Sequence, residues 1–269
     1  MAGDVFQAWI DRWRLTPDGE PFTSIGGRLL PVRQDGVAAM LKVSHAPEEI
    51  AGGVLMAWWD GQGAAPVLAH EGEALLMVRA TGTGSLADMA RNGRDDEATR
   101  IICAALDGLH APRAGRLPAS LRPLPDWFRQ LEPTANQHGG ILSKSLAMSK
   151  ALLADPREVC VLHGDAHHGN FLDFGDLGWL AIDPKGLIGD RGFDYANVLC
   201  NPDLATAVAQ GRITRQATVV AEAADLDPLR TMQWLLAYAG LSAAWTLSDG
   251  NDPAGALRIA EIAAAELGL

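Results

Sequence analysis

The stretch VLHGDAHHGNFLDFGDLGWLAIDPKG, residues 161–186, determines how the whole chain is interpreted. The apolar run EVCVL (158–162) leads into it, so the chain enters this stretch from a buried strand. Three histidines, several aspartates and an asparagine then follow within about two dozen residues. These side chains fit three different roles: ligands of a metal centre, groups that handle phosphate, or ordinary surface polarity.

A hairpin in the second half of the stretch narrows the choice. The runs FLDF and WLAI are short and apolar, and GDLG joins them, which predicts two strands and a tight turn. We expect the turn to be centred between Asp176 and Leu177. Regular pairing about that centre places Asn170 opposite Asp183, beside the loop that carries Asp165. The sequence therefore predicts that these three polar residues cluster.

Two carboxylates and one amide suit magnesium and phosphate. Magnesium prefers hard oxygen ligands and is held by one or two carboxylates together with nucleotide phosphates. Phosphoryl transfer needs a further carboxylate that orients the attacking hydroxyl and accepts its proton. The four-residue gap between Asp165 and Asn170 matches the spacing in kinase catalytic loops, and Asp183 would supply the second metal ligand.

The rival interpretation is a histidine-ligated metal centre. His163, His167 and His168 lie close to Asp165, and zinc or two-metal hydrolases use such ligands. That interpretation leaves Asn170 and Asp183 without a role and requires remote ligands that the sequence does not indicate. We expect His163 to be a packed loop histidine bonded to backbone carbonyls, and we leave His167 and His168 open.

The rest of the chain divides into a sheet-rich part and a helical part. RLLPV and VAAMLKV, joined by RQDG, predict one hairpin, and the runs around HEGE predict another. Between the hairpins, PEEIAGGVLMAWW predicts a helix with proline and glutamates at its start. TGTGSL then marks a boundary, and helical patterns dominate from there onward. We expect an α+β fold with a β-rich lobe over 1–80 and a mostly helical lobe over 81–269.

Composition limits the possible partners. The net charge is −11, which argues against nucleic acid and suits a cationic small molecule. Three dispersed cysteines disfavour disulfides and structural zinc and suit the cytoplasm. The N-terminal residues do not resemble a signal peptide, and no run of about 18 uncharged apolar residues is present, so we expect no membrane partner. The oligomeric state stays open.

Several motifs together resemble the aminoglycoside phosphotransferase family, in its streptomycin 6-phosphotransferase and hydroxyurea resistance kinase branch. They are LHGDAHHGN, AIDPKG and FDYANVL, supported by WIDRWRLTPDGEPF, AAMLKVS, WWDGQGAAPVLA and LHAP. They occur in order along almost the whole chain. The resemblance implies a protein-kinase-like bilobal fold with ATP and Mg²⁺ between the lobes. It also implies transfer of phosphate to a hydroxyl of streptomycin or a related aminoglycoside, with hydroxyurea or another small metabolite as the alternative.

The resemblance also implies roles for residues of the predicted cluster. Asp165 resembles the catalytic base, and Asn170 and Asp183 resemble the magnesium ligands. Lys42 resembles the lysine that holds the α- and β-phosphates. Glu48 and Glu49 are both candidates for the ion-pair partner of Lys42. We expect the partner to be Glu49, since acids at the start of a helix are often only caps.

The remaining expectations concern the nucleotide base and the acceptor. MVRATGTGSL resembles the segment between the lobes, so the adenine should bond backbone atoms from Val78 to Ala80. For the acceptor, the candidates are Asp190, Trp127 and the acids of LSDGNDP, since acidic and aromatic side chains suit a guanidinium group. Lys185 is expected to contact the transferred phosphate or to pair with Asp190.

One departure from kinase patterns is visible. The sheet-rich part has no G-x-G-x-x-G motif, and SIGGRLL is a poor substitute, so any phosphate loop should be short. Asp194 in FDYANVL opens a predicted helix, and we expect it to be a structural cap and a loop anchor, in preference to a ligand. A binding protein that keeps the fold without catalysis is a further alternative. The presence of Lys42, Asp165, Asn170 and Asp183 argues against it.

Overall fold

The computed structural model describes residues 5–269, and its N-terminal part is built on an antiparallel sheet. Its elements are α1 Gln7–Trp13, β1 Thr16–Pro17, β2 Phe22–Ser24, β3 Gly27–Gln34, β4 Val37–Val43, α2 Pro47–Trp59, β5 Val67–Glu71 and β6 Ala74–Val78. The strands run in the order β1-β3-β4-β6-β5, and β2 also pairs with β3. Helix α1 precedes the sheet, and helix α2 connects β4 to β5.

Both hairpins predicted in this part are present. Asp35 and Gly36 form the turn between β3 and β4, with φ of 49° and 85°. Two positive φ values are what a two-residue hairpin turn with the twist of its strands requires. Gly72, with φ of 55°, lies in the turn between β5 and β6. Helix α2 starts at Pro47, as the proline and the two acids predict.

The remainder of the chain is mostly helical. Its helices are α3 Leu86–Arg91, α4 Asp95–His110, α5 Leu124–Trp127, α6 Leu131–His138, α7 Ile141–Ala154, α8 Gly192–Leu199, α9 Leu204–Ala207, α10 Arg212–Ala224, α11 Pro228–Ser248 and α12 Ala254–Glu266. Its strands are β7 Arg122–Pro123, β8 Val159–Leu162, β9 Phe171–Asp173, β10 Trp179–Ala181 and β11 Leu187–Asp190. Within residues 5–269, none of the helices has both the length and the apolar character to cross a membrane.

One shared core joins the two parts. Met56 and Trp59 of α2 are fully buried in the same cluster as Ile102 and Leu106 of α4. A separate cluster, built on Val32, Leu41 and other sheet residues, fills the opposite face of the sheet. Because α2 and one face of the sheet pack toward the helical part, a cleft forms where β4, α2 and the β9–β10 hairpin meet.

The β9–β10 hairpin differs from its predicted register by one residue. Phe171 pairs with Ala181, and Ile182 N donates to Asn170 O at 2.9 Å. Asn170 therefore lies opposite Ile182, not Asp183. The loop from Phe174 to Gly178 has an odd number of residues and contains a 3₁₀ turn, which moves the centre of the hairpin onto Asp176.

A small three-stranded sheet is not expected from the sequence. Strand β11 pairs antiparallel with β8 and parallel with β7. Strand β7 lies inside a proline-rich segment whose composition predicts an irregular connection. Two residues are too few to produce an alternating pattern, so the strand leaves no periodic signal. The sheet brackets the loop between β8 and β9 and fixes where that loop begins.

Candidate active site

A buried aspartate holds the start of the loop between β8 and β9. Asp194, in the first turn of α8, accepts hydrogen bonds from His163 N and Gly164 N, both at 2.8 Å. Its Oδ2 also lies 2.8 Å from His110 Nε2, and the side chain is fully buried. The interpretation of Asp194 as a loop anchor is confirmed. It does not cap its own helix, because both of its oxygens face the loop.

Glycine is required directly before Asp165. Gly164 has a φ of 83°, and a Cβ there would lie 2.9 Å from Leu187 Cδ1 and 3.1 Å from Lys185 Cβ. Side chains rarely adopt this conformation, and no room exists for one. The tight turn directs the following residue, Asp165, out of the buried strand and toward the cleft.

The three histidines of the loop do not converge on one point. His163 is fully buried, its Nε2 bonds Ile182 O at 2.9 Å, and its Nδ1 accepts from Asp165 N at 3.2 Å. Burial lowers the pKa of His163, so the ring is neutral with its proton on Nε2. His168 is buried against the helical part, near Arg212, and neither of its ring nitrogens has a hydrogen-bond partner within residues 5–269. His167 Nδ1 accepts from Gly169 N at 3.0 Å.

This divergence contradicts a histidine-ligated hydrolase centre. Nothing in residues 5–269 brings three or more His, Cys, Asp or Glu side chains into a metal-binding group. Both nitrogens of His163 are committed to the backbone, which confirms the packed loop histidine expected from the sequence.

His168 gives a testable dependence of stability on pH. Burial, reinforced by the charge of Arg212, lowers the pKa of His168 to about 4. The unfolded chain takes up the same proton near pH 6.5. The stability associated with neutral His168 is therefore complete above about pH 6.5 and is lost as the pH falls toward 4. The unmodified protein should therefore lose unfolding free energy between pH 7 and pH 4.5. We expect the His168→Leu protein to lose less over the same range, by at most about 3 kcal/mol.

Urea unfolding at the two pH values measures this difference. His138→Leu is the matched control, since His138 is exposed at the end of α6. Because the buried His168 ring has no hydrogen-bond partner among the described residues, an apolar side chain should cost little stability at pH 7. A His168→Leu protein that loses as much stability on acidification as the unmodified chain would contradict the assignment.

Two amide side chains hold Asp165, and its carboxylate is about one third exposed. Asn197 Nδ2, from α8, donates to Asp165 Oδ1 at 3.0 Å. Asn170 Nδ2 donates to Asp165 O at 2.9 Å and lies 3.5 Å from Asp165 Oδ2. Since a backbone carbonyl only accepts, the Asn170 amide has its NH₂ on this side and its Oδ1 on the other. Asp165 itself is 31% exposed at its side chain.

Four charged side chains meet where β4, α2 and the segment after β10 come together. Lys42 donates to Glu49 Oε2 at 2.5 Å and also to Asp183 Oδ1. Lys185 donates to Glu49 Oε1 at 2.8 Å and lies 3.8 Å from Asp183 Oδ2. Although burial opposes it, the charges of the two lysines lower the pKa of Asp183 to about 2. Asp183 is therefore ionised at any physiological pH.

The structure distinguishes between the alternatives that the sequence left open at this cluster. The lysine of β4 pairs with Glu49, whereas Glu48 is half exposed and contacts Arg122 at 3.3 Å. The expected alternative in which Lys185 pairs with Asp190 is wrong, because Lys185 pairs with Glu49. The turn at Pro184 and Gly186 brings Lys185 back toward α2, so its nitrogen reaches Glu49.

A short glycine turn covers the charged cluster. The β2–β3 turn contains Gly26, where a Cβ would lie 2.7 Å from Glu49 Oε2 and 2.9 Å from Lys42 Nζ. This is the segment SIGG, a poor match to a glycine-rich phosphate loop in sequence. Its backbone approaches the lysine closely because no side chain is present at Gly26. The cluster is thus enclosed on the side of the sheet.

Next to the cluster is a cavity of about 460 Å³ with largely apolar walls. Its lining includes Met40, Met77, Leu172, Ile182, Val78 and Ala80. Val78 N donates to Pro66 O and Arg79 N to Ala38 O, both within the sheet-rich part. Within residues 5–269, Ala80 N donates to no backbone carbonyl. A flat heterocycle in this cavity can therefore accept a hydrogen bond from Ala80.

Two of the acceptor candidates lie away from this cleft. Asp190 is buried and accepts from Arg157 N at 2.9 Å, Gly192 N at 2.8 Å and Arg230 Nη2 at 2.6 Å. Its oxygens are committed to holding the start of α8. Trp127 packs edge-on against Trp245, with ring centroids 5.4 Å apart. Neither lines the cavity beside Lys42.

A second cavity, not anticipated from the sequence, lies beside Asp165. It has a volume of about 240 Å³ and is lined by residues of α8, α11 and α12 and the segments between them. Its polar side chains are Asn197, Asn201, Tyr238 and Ser242. Because Asn197 also bonds Asp165, the cavity begins one side chain away from the carboxylate. Amides and alanine-rich helices carry no motif, so only the packing of α8 and α11 identifies it.

The geometry resembles that of solved kinase-like phosphotransferases. A thermostable mutant of an aminoglycoside phosphotransferase, solved with ADP and hygromycin B, superposes with a TM-score of 0.65 at 16% identity. The match covers 96% of this chain and 97% of that chain. The bilobal, protein-kinase-like α+β fold expected from the sequence is therefore confirmed.

The family follows from the sequence comparisons. The model of the aminoglycoside/hydroxyurea antibiotic resistance kinases matches residues 12–250. Streptomycin 3''-kinase of Klebsiella pneumoniae is 50% identical over 246 residues, covering 90% of this chain and 92% of that protein. Streptomycin 6-kinase of Streptomyces griseus is 29% identical over 267 residues, covering 90% and 81%. The chain belongs to the aminoglycoside/hydroxyurea antibiotic resistance kinase family, and it is a phosphotransferase of the kinase class.

Proposed function

We propose that the protein inactivates streptomycin by transferring the γ-phosphate of ATP to its 3''-hydroxyl. The observation that carries this proposal is the arrangement of Lys42, Asp183, Asn170 and Asp165 along one cleft, next to an apolar cavity for a nucleotide base. The choice of the 3'' position is supported by 50% identity to a streptomycin 3''-kinase, against 29% to a streptomycin 6-kinase.

The nucleotide roles follow from the cleft. Residues 1–80 form the nucleotide-binding lobe, in which Ala80 N–H and backbone atoms back to Val78 bond the adenine. Lys42, oriented by Glu49, binds the α- and β-phosphates, and Lys185, in the same charged cluster, contacts the transferred phosphate. These cationic groups attract the polyphosphate and position it between the sheet and the β9–β10 hairpin.

The donor set for Mg²⁺ fits hard oxygen chemistry. Asp183 offers a carboxylate that is ionised at all working pH values, and Asn170 has its amide NH₂ fixed on Asp165 O, which leaves its Oδ1 as a ligand. When bound, Mg²⁺ neutralises charge on the phosphate oxygens. In the proposed reaction the oxygen of the acceptor hydroxyl attacks the γ-phosphorus, and Asp165 accepts the proton of that hydroxyl.

The acceptor site belongs to the helical lobe, residues 81–269. The cavity of about 240 Å³ beside Asp165 offers two amides and two hydroxyls and no charged side chain, which suits a sugar ring. The net charge of −11 attracts a cationic acceptor to the molecule as a whole. We propose that the reaction takes place in the cytoplasm, where ATP is available.

A screen of acceptors with coupled detection of ADP tests this function. We expect streptomycin to stimulate ADP release, and hydroxyurea and simple sugars to do so at least about tenfold less, because they fill less of the acceptor cavity. Phosphorus–proton correlation in the NMR spectrum of the product should place the phosphate on the 3'' carbon. Phosphate on the 6 carbon would overturn the regiochemistry, and a preference for hydroxyurea would overturn the acceptor.

A further inference from the structure

The second amide that holds Asp165 comes from a helix outside the catalytic loop. Asn197 in α8 is buried and donates to Asp165 Oδ1 at 3.0 Å. The metal and phosphate chemistry proposed above gives Asn197 no role. It contributes no charge and does not line the nucleotide cavity.

The direction of the Asn197 amide is fixed by a neighbouring residue. Asn201 Nδ2 donates to the backbone oxygen of Asn197 and to its Oδ1, both at 2.9 Å. Because a backbone oxygen accepts only, the Asn201 amide has one possible orientation. The Oδ1 of Asn197 must then face Asn201, and its NH₂ must face Asp165. The carboxylate of Asp165 also accepts only, so the chain of donors is consistent from end to end.

The two oxygens of Asp165 therefore differ. Oδ1 accepts a well-formed bond from Asn197, whereas the one hydrogen-bond contact of Oδ2 within residues 5–269 is the 3.5 Å contact with Asn170 Nδ2. An oxygen that already accepts a strong bond is the weaker base, and the bond also stops rotation of the carboxylate. We propose that Asn197, oriented by Asn201, is a positioning residue that presents Oδ2 of Asp165 to the acceptor hydroxyl.

The proton and the bonds are accounted for as follows. The acceptor hydroxyl gives its proton to Asp165 Oδ2, and its oxygen forms a bond to the γ-phosphorus of ATP. The bond from that phosphorus to the β,γ-bridging oxygen breaks, and ADP leaves with the electron pair. Asn197 keeps its own protons and stays bonded to Oδ1 throughout. This inference rests on the proposed role of Asp165 as the base.

Asn197→Asp is the sharpest test, because it keeps the shape and the acceptor for Asn201 but replaces the donor to Asp165. A carboxylate at this distance disfavours the charged form of Asp165. We expect kcat at pH 7 to fall by about 10–100-fold. The acid limb of the kcat–pH profile should move to higher pH by about one unit or more. KM for ATP and calorimetric affinity for ADP with Mg²⁺ should change less than about twofold, because Asn197 does not line the nucleotide cavity.

Two further variants make the result decisive. Asn197→Ala removes the donor without adding charge, and we expect about a tenfold loss of kcat. It decides the question if the aspartate variant fails to fold. Asn136→Asp makes the same change of charge on the exposed face of α6 and should leave kcat unchanged. Both Asn197 variants with normal kcat and pH profile, beside an inactive Asp165→Asn protein, would overturn the inference. An active Asp165→Asn protein would instead overturn the proposed base.

Discussion

Asp165→Asn is expected to lower turnover by roughly 10²–10⁴-fold, the usual contribution of a positioned general base. The amide has the shape of the carboxylate, and its carbonyl can still accept from Asn197, so the loop should keep its structure. It cannot take up a proton from the acceptor hydroxyl. Steady-state kinetics with streptomycin as acceptor measure kcat, and calorimetry with ADP and Mg²⁺ should show unchanged binding.

Asp176→Asn is the matched control for this variant. Asp176 lies on the same hairpin but is exposed at its turn, so the same loss of charge occurs away from the cleft. Its activity should equal that of the unmodified protein. If Asp165→Asn also keeps full turnover, Asp165 is not the base, and the acceptor hydroxyl must lose its proton by another route.

The features that the sequence predicted correctly are local ones. The turn at Asp35 and Gly36 and the helix start at Pro47 each depend on residues within a few positions of one another. The pairing of Lys42 with Glu49 is also close in sequence, since only the β4–α2 connection separates them. Short-range preferences of this kind are written directly into residue types and spacings.

The features that sequence reasoning missed depend on contacts between distant segments. Asn197 reaches Asp165 from a separate helix, and Arg230 reaches Asp190 across 40 positions. Neither pair leaves a local pattern. The sequence therefore presents Asp190 as a free acid, whereas its oxygens accept hydrogen bonds from Arg230 and backbone amides. The one-residue error in the register of β9 and β10 has another cause: apolar alternation does not reveal whether a loop has four or five residues.

Asp183→Ala is expected to remove the Mg²⁺-dependent part of nucleotide affinity and to lower turnover by about 10²–10³-fold. Asp183 supplies the one carboxylate of the proposed metal site, and the neutral Asn170 amide alone is a weak ligand. Lys42 keeps its partner in this variant, because Glu49 still accepts its hydrogen bond. Calorimetry with ADP, with and without Mg²⁺, measures the effect directly and does not depend on which acceptor is used.

Glu49→Gln is the comparison that separates loss of the metal from loss of the lysine. Among residues 5–269, the neutral amide would leave Lys42 with Asp183 as its charged partner. Lys185 would lose its 2.8 Å ion pair with Glu49. Phosphate binding should therefore weaken equally with and without Mg²⁺. Asp183→Ala should weaken ADP binding only when Mg²⁺ is present. If ADP binds the Asp183→Ala protein with the same Mg²⁺ dependence as the unmodified chain, Asp183 is not a ligand.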